Sequence, residues 1–262
     1  MGNAHDFIDS HAHLDEDVFG DDLGPLLSRA SDAGVKTILT IGTTASSSTA
    51  AVSIASRWPQ VHAAVGIQPN HGSESTAEDW TRILELARAR EVRAIGETGL
   101  DAYWDFTPMD VQRDLFERHV RLSQELDLPV VVHMRDCAEE TVAILRAARQ
   151  RGPLRGVMHS FTGDLPTARQ CLELGLFISF AGMVTFKKSD SLRQTARHVP
   201  GDRILIETDS PYLTPHPHRG ERPNEPGKLV HTARCLAQAR DEPLKEFAAR
   251  TTANARRLFG LQ

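Results

Sequence analysis

Cysteine and lysine are both scarce in this sequence. Cys137, Cys171 and Cys235 are the only cysteines, odd in number, far apart and in no CxxC pair, so neither a disulfide framework nor a thiolate-rich zinc site is encoded. Unpaired thiols fit a reducing compartment. No apolar run reaches the roughly 18 residues of a membrane-spanning helix, and the chain enters an acidic stretch within its first residues, without the basic and apolar regions of a secretory leader. Gly2 follows Met1, but Asp6 stands where a myristoylation signal needs Ser or Thr. A cytoplasmic protein is expected, and no feature calls for a membrane or an obligate protein partner. A surplus of positive charge is missing too: the formal net charge is -5, which confines any nucleic-acid contact to a local patch. Of the 30 basic residues only five are Lys. The excess of Arg has two readings, bidentate grip on phosphate or genome base composition.

What is present is ordered punctuation. Hydrophobic residues at 40% and charged residues at 25% are ordinary for a folded chain. Eight short runs rich in Val and Ile recur: DFIDSH, VKTILTIG, VHAAVGI, VRAIGETG, PVVVHM, GVMHSF, LFISFAG and RILIETD. Between them lie segments of helical period, among them 22–33, 77–90, 108–126 and 138–151. Strands alternating with helices imply a parallel sheet, and eight such units in 262 residues predict one (β/α)8 TIM barrel over 1–262, near the ~250 residues usual for that fold. Thr107 then Pro108 reads as an N-cap and first helical residue, and Gly34 and Gly152 fall where helices should stop. The segment 211–228, with five prolines, reads as a long loop at the barrel mouth, and 243–259 as closing helix.

Barrel enzymes build their sites where strands end at the C-terminal face, so polar residues at those ends are the ones to collect. They are His11 and His13 on the first strand, Glu97 on the fourth, His133 on the fifth, His159 on the sixth and Asp209 on the eighth. The two-residue spacing of His11 and His13 puts both on one strand face. A lone histidine at a strand end is more often a hydrogen-bonded core residue than a ligand. Six such groups converging without a metal would leave buried charge costing about several kcal/mol per ion. Imidazole and carboxylate donors suit a borderline divalent ion such as zinc or manganese. Six donors exceed one tetrahedral site, so two ions bridged by Glu97 are expected.

These residues fall in longer motifs: DSHAHL at 9–14, GETGLD at 96–101, VHMRD at 132–136, HSFTG at 159–163 and ETDSPYL at 207–213, followed by Arg222, Asn224, Glu225 and Pro226. Over nearly its full length the chain resembles the TatD family of metal-dependent deoxyribonucleases. The resemblance implies that His11, His13, Glu97 and Asp209 hold one ion and Glu97, His133 and His159 the other. It implies catalytic roles for Glu97 and Asp209, the latter orienting or deprotonating the attacking water. It further implies two divalent cofactors (Mg, Mn or Zn), a DNA substrate and 3'-5' exonuclease hydrolysis of phosphodiester bonds by a two-metal-activated water. One departure stands out: Gln68 occupies a position where the family often has His, leaving His71 to contact substrate phosphate.

Other substrate contacts are read by position. Arg135 either meets a phosphate oxygen or pairs with Asp136 or Glu97. Lys187, Lys188, Arg219, Arg222 and Lys228 are further cations near the expected mouth, of which the lysine pair is equally well a solvated surface feature. Tyr103, Trp104 and Phe106 either stack on a nucleobase or plug the barrel mouth. Rival functions are a small-molecule amidohydrolase-like enzyme, which commonly bridges its metals with a carboxylated lysine where this chain has Glu97, and a D-aminoacyl-tRNA deacylase using the same site. A binding protein that has lost catalysis would be expected to lose ligands, and all six are retained.

Overall fold

A computed structural model describes residues 6–261. The expectations that concern residues 1–5 and 262 (the leader, Gly2 and the domain's outermost limits) lie outside the described residues. Among those described, eight strands run in chain order: β1 (Phe7–Ala12), β2 (Val35–Ile41), β3 (Val61–Val65), β4 (Val92–Asp101), β5 (Val130–Arg135), β6 (Gly156–Met158), β7 (Phe177–Phe180) and β8 (Ile204–Ile206). Each pairs in parallel with the next. The eight apolar runs are all strands. Just beyond β8 a parallel bridge between Ala12 and Ser210 brings the ends together, and the sheet forms a nearly closed TIM barrel.

The connecting helices are α1 (Gly24–Asp32), α2 (Ala45–Arg57), α3 (Ala77–Leu86), α4 (Met109–Leu126), α5 (Ala138–Arg151), α6 (Leu165–Glu173), α7 (Asp190–His198), α8 (Leu229–Ala239) and α9 (Leu244–Phe259). Several start on side-chain caps that satisfy otherwise orphaned amides, each contributing about 1 kcal/mol. Thr44 accepts from Ser47 N, Asp164 accepts from Thr167 N, and Thr76 with Asp79 forms a reciprocal box. Thr107 is not such a cap. Helix α4 begins one residue later than the sequence predicts, after Pro108, because Thr107 Oγ1 accepts from Ser73 N and its carbonyl accepts from Gln112 Nε2.

The period-2 alternation of the strands separates two apolar layers. Ile8, Leu39, Ile41, Ala64, Ala94, Val131, Val157, Phe177 and Leu205 form one cluster that Leu258, Phe259 and Leu261 complete from the end of α9. The larger cluster packs the opposite strand faces against the helices. Among the described residues no helix is long and apolar enough to cross a membrane, and Cys137, Cys171 and Cys235 are all free thiols.

Two register slips change which way side chains point at the barrel mouth. One falls between Asp9 and Ala12 in β1, the other between Ile95 and Thr98 in β4. Such slips re-aim side chains that strict alternation would send elsewhere. Glu97 therefore does not end its strand, as the sequence predicts: β4 runs on to Asp101, paired with β5 from Thr98 onward. Gly96 sits at the slip with φ near 133°, and a Cβ there would meet Val131 O at 2.6 Å, so only glycine fits.

The loop after β3 is pinned from α4. Buried His119 accepts from Ile67 N at 3.0 Å through Nε2, so its Nδ1 carries the proton and donates to Leu115 O at 2.7 Å. Burial pushes this imidazole down to about 4, and it is neutral at pH 7. Substituting His119→Phe leaves Ile67 N–H unpaired and is expected to cost about 1–3 kcal/mol at pH 7. Between pH 6.5 and 4 the unfolded histidine takes up a proton that the folded one refuses, so the wild type loses roughly 3 kcal/mol over that interval as pH falls. The variant escapes that loss. Urea unfolding across this range should show the two stabilities converging with acid; curves that stay parallel would mean His119 is not held neutral.

Candidate metal centre

The seam that closes the barrel also positions the first ligands. His13 N donates to Ser210 O at 2.8 Å and Asp209 N donates to His11 O at 2.9 Å, so β1 and the segment after β8 are stitched together at the residues of interest. Beneath the seam, buried Asp9 accepts from Thr208 N and Thr208 Oγ1 and, at 3.3 Å, from His11 N. Burial raises its pKa to about 7 despite those bonds. Asn224, also buried, donates to Thr208 O and Tyr212 O and fastens the 211–228 loop over the same segment.

At the centre lies the Glu97 carboxylate. Its Oε1 is 3.0 Å from His133 Nδ1 and 3.2 Å from His159 Nε2; its Oε2 is 3.3 Å from His11 Nε2 and 3.8 Å from His13 Nε2. Asp209 Oδ1 stands 3.4 Å from His13 Nε2 and 3.7 Å from His11 Nε2. The donors thus divide into a His11/His13 side, joined by Asp209, and a His133/His159 side, with one carboxylate oxygen for each. His11, His13 and Glu97 form one group able to hold a metal ion, and Glu97, His133 and His159 another.

The outer nitrogens decide whether a cation fits. His13 Nδ1 donates to Ile41 O at 3.1 Å and His133 Nε2 donates to Asp101 Oδ2 at 3.0 Å. His159 Nδ1 lies 3.4 Å from Glu207 Oε1. With their protons on the outer atoms these rings turn lone pairs toward Glu97, acceptor against acceptor, which only a cation or extra protons can reconcile. Extra protons are what the metal-free residues take. Burial opposes the charge on His13, His133 and His159, but the facing carboxylates outweigh it, raising His13 to about 9, His133 above the imidazole range and His159 well above it. Burial alone would raise Glu97; the His159 charge and the three histidine hydrogen bonds hold it well below the carboxylate range. Imidazole and carboxylate without thiolate are donors for zinc, manganese or iron, and the residues fit such ions.

Around this centre opens a cavity of roughly 600 Å³, lined also by Gln68, His71, Trp104, Phe106 and Arg135. A model of the family described as TatD related DNase matches residues 8–260. The chain belongs to the TatD family. It is similar to a metal-dependent hydrolase of Bacillus subtilis (strain 168), 38% identical over 252 residues that span 96% of this chain and 98% of that protein. It is similar as well to the 3'-5' ssDNA/RNA exonuclease TatD of Citrobacter rodentium, 36% identical over 258 residues, 97% of this chain and 98% of the other. Among solved structures, a TatD homologue from Escherichia coli K12 superposes with a TM-score of 0.92 at 28% identity, covering 98% of both chains. This TatD-family protein is a metal-dependent hydrolase.

All six residues collected from the sequence converge in the TatD-family barrel. Of the proposed substrate contacts, His71 and Arg135 line the cavity, whereas Arg222 lines an adjoining groove and donates to Thr214 Oγ1. Among the described residues none of the other cations, Lys187, Lys188, Arg219 and Lys228, lines the cavity. Lys228 pairs with Glu221, Arg219 covers the Phe186 ring, and Lys187 lines a separate hollow with Arg193 and Arg197. Gln68 faces the cavity while its Oε1 accepts from Asn70 N.

Two motif residues outside these six also take defined places. Glu207 sits behind the stacked rings of His11 and His159, whose centroids are 4.0 Å apart, and makes a further group with them. Its place in the ETDSPYL motif, just past the end of β8, was the available signal. Asp101 uses both oxygens: Oδ2 accepts from His133 and Asn70, Oδ1 from Tyr103 N and Trp104 N. An amide in its place must turn its NH2 toward one pair of donors. Asp101→Asn is therefore expected to weaken metal retention by about 10- to 100-fold, read by chelator competition and metal analysis. Unchanged retention would remove His133 from the ligand set.

Proposed function

We propose that this chain is a two-metal phosphodiesterase, acting as a 3'-5' exonuclease on single-stranded DNA. The observation that carries the reading is the division of Glu97, one oxygen toward each pair of imidazoles. Two divalent ions held in this way supply an activated water and neutralise charge developing on phosphate.

The chain's own residues do the rest. Asp209, beside the His11/His13 half and at the edge of the cavity, orients the water and takes its proton. Arg135 offers charge-assisted hydrogen bonds to a phosphate oxygen. Its guanidinium lies 3.7 Å from the Tyr103 ring centroid, and among the described residues it makes no ion pair with Asp136 or Glu97, the other partners open to it. His71 is a second phosphate contact. A single-stranded nucleic acid and a 3'-5' direction are supported by the likeness to the 3'-5' ssDNA/RNA exonuclease of Citrobacter rodentium, and a phosphate-bearing substrate by Arg135 in the cavity wall.

A second reading draws on the same wall. Glu16 and Glu74 line the cavity together with Glu97, Asp101 and Asp209, an acidic rim better suited to a substrate carrying an ammonium group, such as an aminoacyl ester on tRNA, than to a long polyanion. A carboxylated-lysine amidohydrolase is disfavoured, since a glutamate, Glu97, stands between the two imidazole pairs and no lysine lines the cavity among the described residues.

Hydrolysis of 5'-labelled and 3'-labelled single-stranded DNA by metal-reconstituted protein separates these readings. A metal-dependent ladder receding from the 3' end is expected, abolished by Glu97→Ala and by Asp209→Ala. Intact DNA from a protein holding two ions per chain would overturn the nuclease reading and turn attention to aminoacyl esters.

A further inference from the structure

Large apolar side chains left in water cost free energy in proportion to the area exposed, so their distribution is informative. Among the described residues, six are strongly exposed: Val18, Leu84, Tyr103, Trp104, Phe106 and Tyr212. Tyr212 lines the cavity, Tyr103 packs against Trp104, and Val18 lines the adjoining groove with Tyr212. Trp104 and Phe106 line the cavity itself, 43% and 60% exposed. These rings are therefore no buried plug.

Their arrangement is fixed. The Trp104 and Phe106 rings are nearly parallel, 12° apart in plane with centroids 5.3 Å apart, and Tyr103 packs edge-on against Trp104. Asp101 Oδ1 accepts from the amides of Tyr103 and Trp104 while Oδ2 holds His133. One carboxylate thus ties the aromatic wall rigidly to the metal-facing imidazole. Across the strand pair Arg135 stands in register with Asp101, its face on Tyr103 and its guanidinium making no hydrogen bond or ion pair among the described residues. A flat apolar wall beside a cation with unused donors, at the edge of a phosphate-cleaving centre, matches the two halves of a nucleotide.

We propose that Trp104 and Phe106 form a stacking subsite for one unpaired nucleobase, that of the terminal nucleotide, with Arg135 holding the phosphate attached to it. The inference rests on the nuclease reading and adds what that reading lacks, the means by which an acidic cavity with one permanent cation grips its substrate. Stacking reads the face of a base and not its edges, so the subsite accepts all four bases. It also requires the terminal base to be out of a duplex.

The test pairs a change in the ring with a change in the base. Single strands ending in a normal or an abasic 3' nucleotide are cut by wild type, Trp104→Ala, Trp104→Phe and Phe106→Ala. Trp104→Ala is expected to raise KM for the normal strand by on the order of 10- to 100-fold, and Trp104→Phe by much less. On the abasic strand the losses from ring and base should fall well short of adding, the sign of direct contact. Fluorescence anisotropy of the same strands on metal-loaded Asp209→Ala protein, with and without Trp104→Ala, gives the binding loss apart from turnover. Equal effects of Trp104→Ala on both strands, or equal effects of Ala and Phe at 104, would overturn the subsite while nuclease activity stands. A wild type that cuts neither strand overturns the nuclease reading first, and the subsite with it.

Discussion

Everything at the mouth of this barrel depends on one buried carboxylate facing four imidazoles. Glu97 is nearly inaccessible to water, and an uncompensated charge there would cost about several kcal/mol. Three of the rings do not compensate it as neutral groups, because the outer acceptors Ile41 O, Asp101 and Glu207 face the far nitrogens of His13, His133 and His159 and leave lone pairs turned inward; His11 Nδ1 has no such partner among the described residues. The cluster therefore needs positive charge from outside the side chains. Protons meet that need in the metal-free protein and divalent ions replace them, so ion binding and proton release are coupled here.

The fold holds this arrangement because the bonds that close the barrel also aim the ligands. The stitches between β1 and the segment after β8 involve His11, His13 and Asp209 directly, and Asp9 and Asn224 bind the same segment from either side. On the opposite side the β4 slip presents Glu97, and Asp101 four residues later fixes His133. Ligands from distant parts of the chain are thus oriented by backbone, while the 211–228 loop is fastened at Asn224 and, through the Arg29–Glu225 pair, at α1.

Much of this was legible in the sequence. The Val and Ile runs marked all eight strands because a barrel strand is buried on both faces and reads as near-continuous hydrophobicity. The six polar residues near their ends stood out against that background. The register slips did not, since a period of two carries no mark of the residue at which it breaks; hence the expectation that Glu97 ends its strand. Thr107 looked like a cap because sequence shows a hydroxyl before a proline but not that Ser73 N claims it. Cations scattered over the late loops looked equivalent in sequence. Only Arg135, set in a strand beside Asp101, has the placement to reach the cavity without spanning the loop's own salt bridges.

That single permanent cation constrains how a polyanion could be handled. A protein that grips DNA by its backbone neutralises several phosphates at once, and a chain of net charge -5, with Glu16 and Glu74 in its cavity wall besides the metal-facing carboxylates and Arg135 as the one Arg or Lys there among the described residues, is poorly built for that. Phosphate recognition in the nuclease reading is therefore short-range, confined to the ions, Arg135 and His71. The remaining affinity has to come from uncharged contacts. The exposed aromatic rings sit where such contacts are needed, and a site that engages one terminal nucleotide by charge and stacking suits removal of nucleotides from a chain end better than cleavage within a duplex.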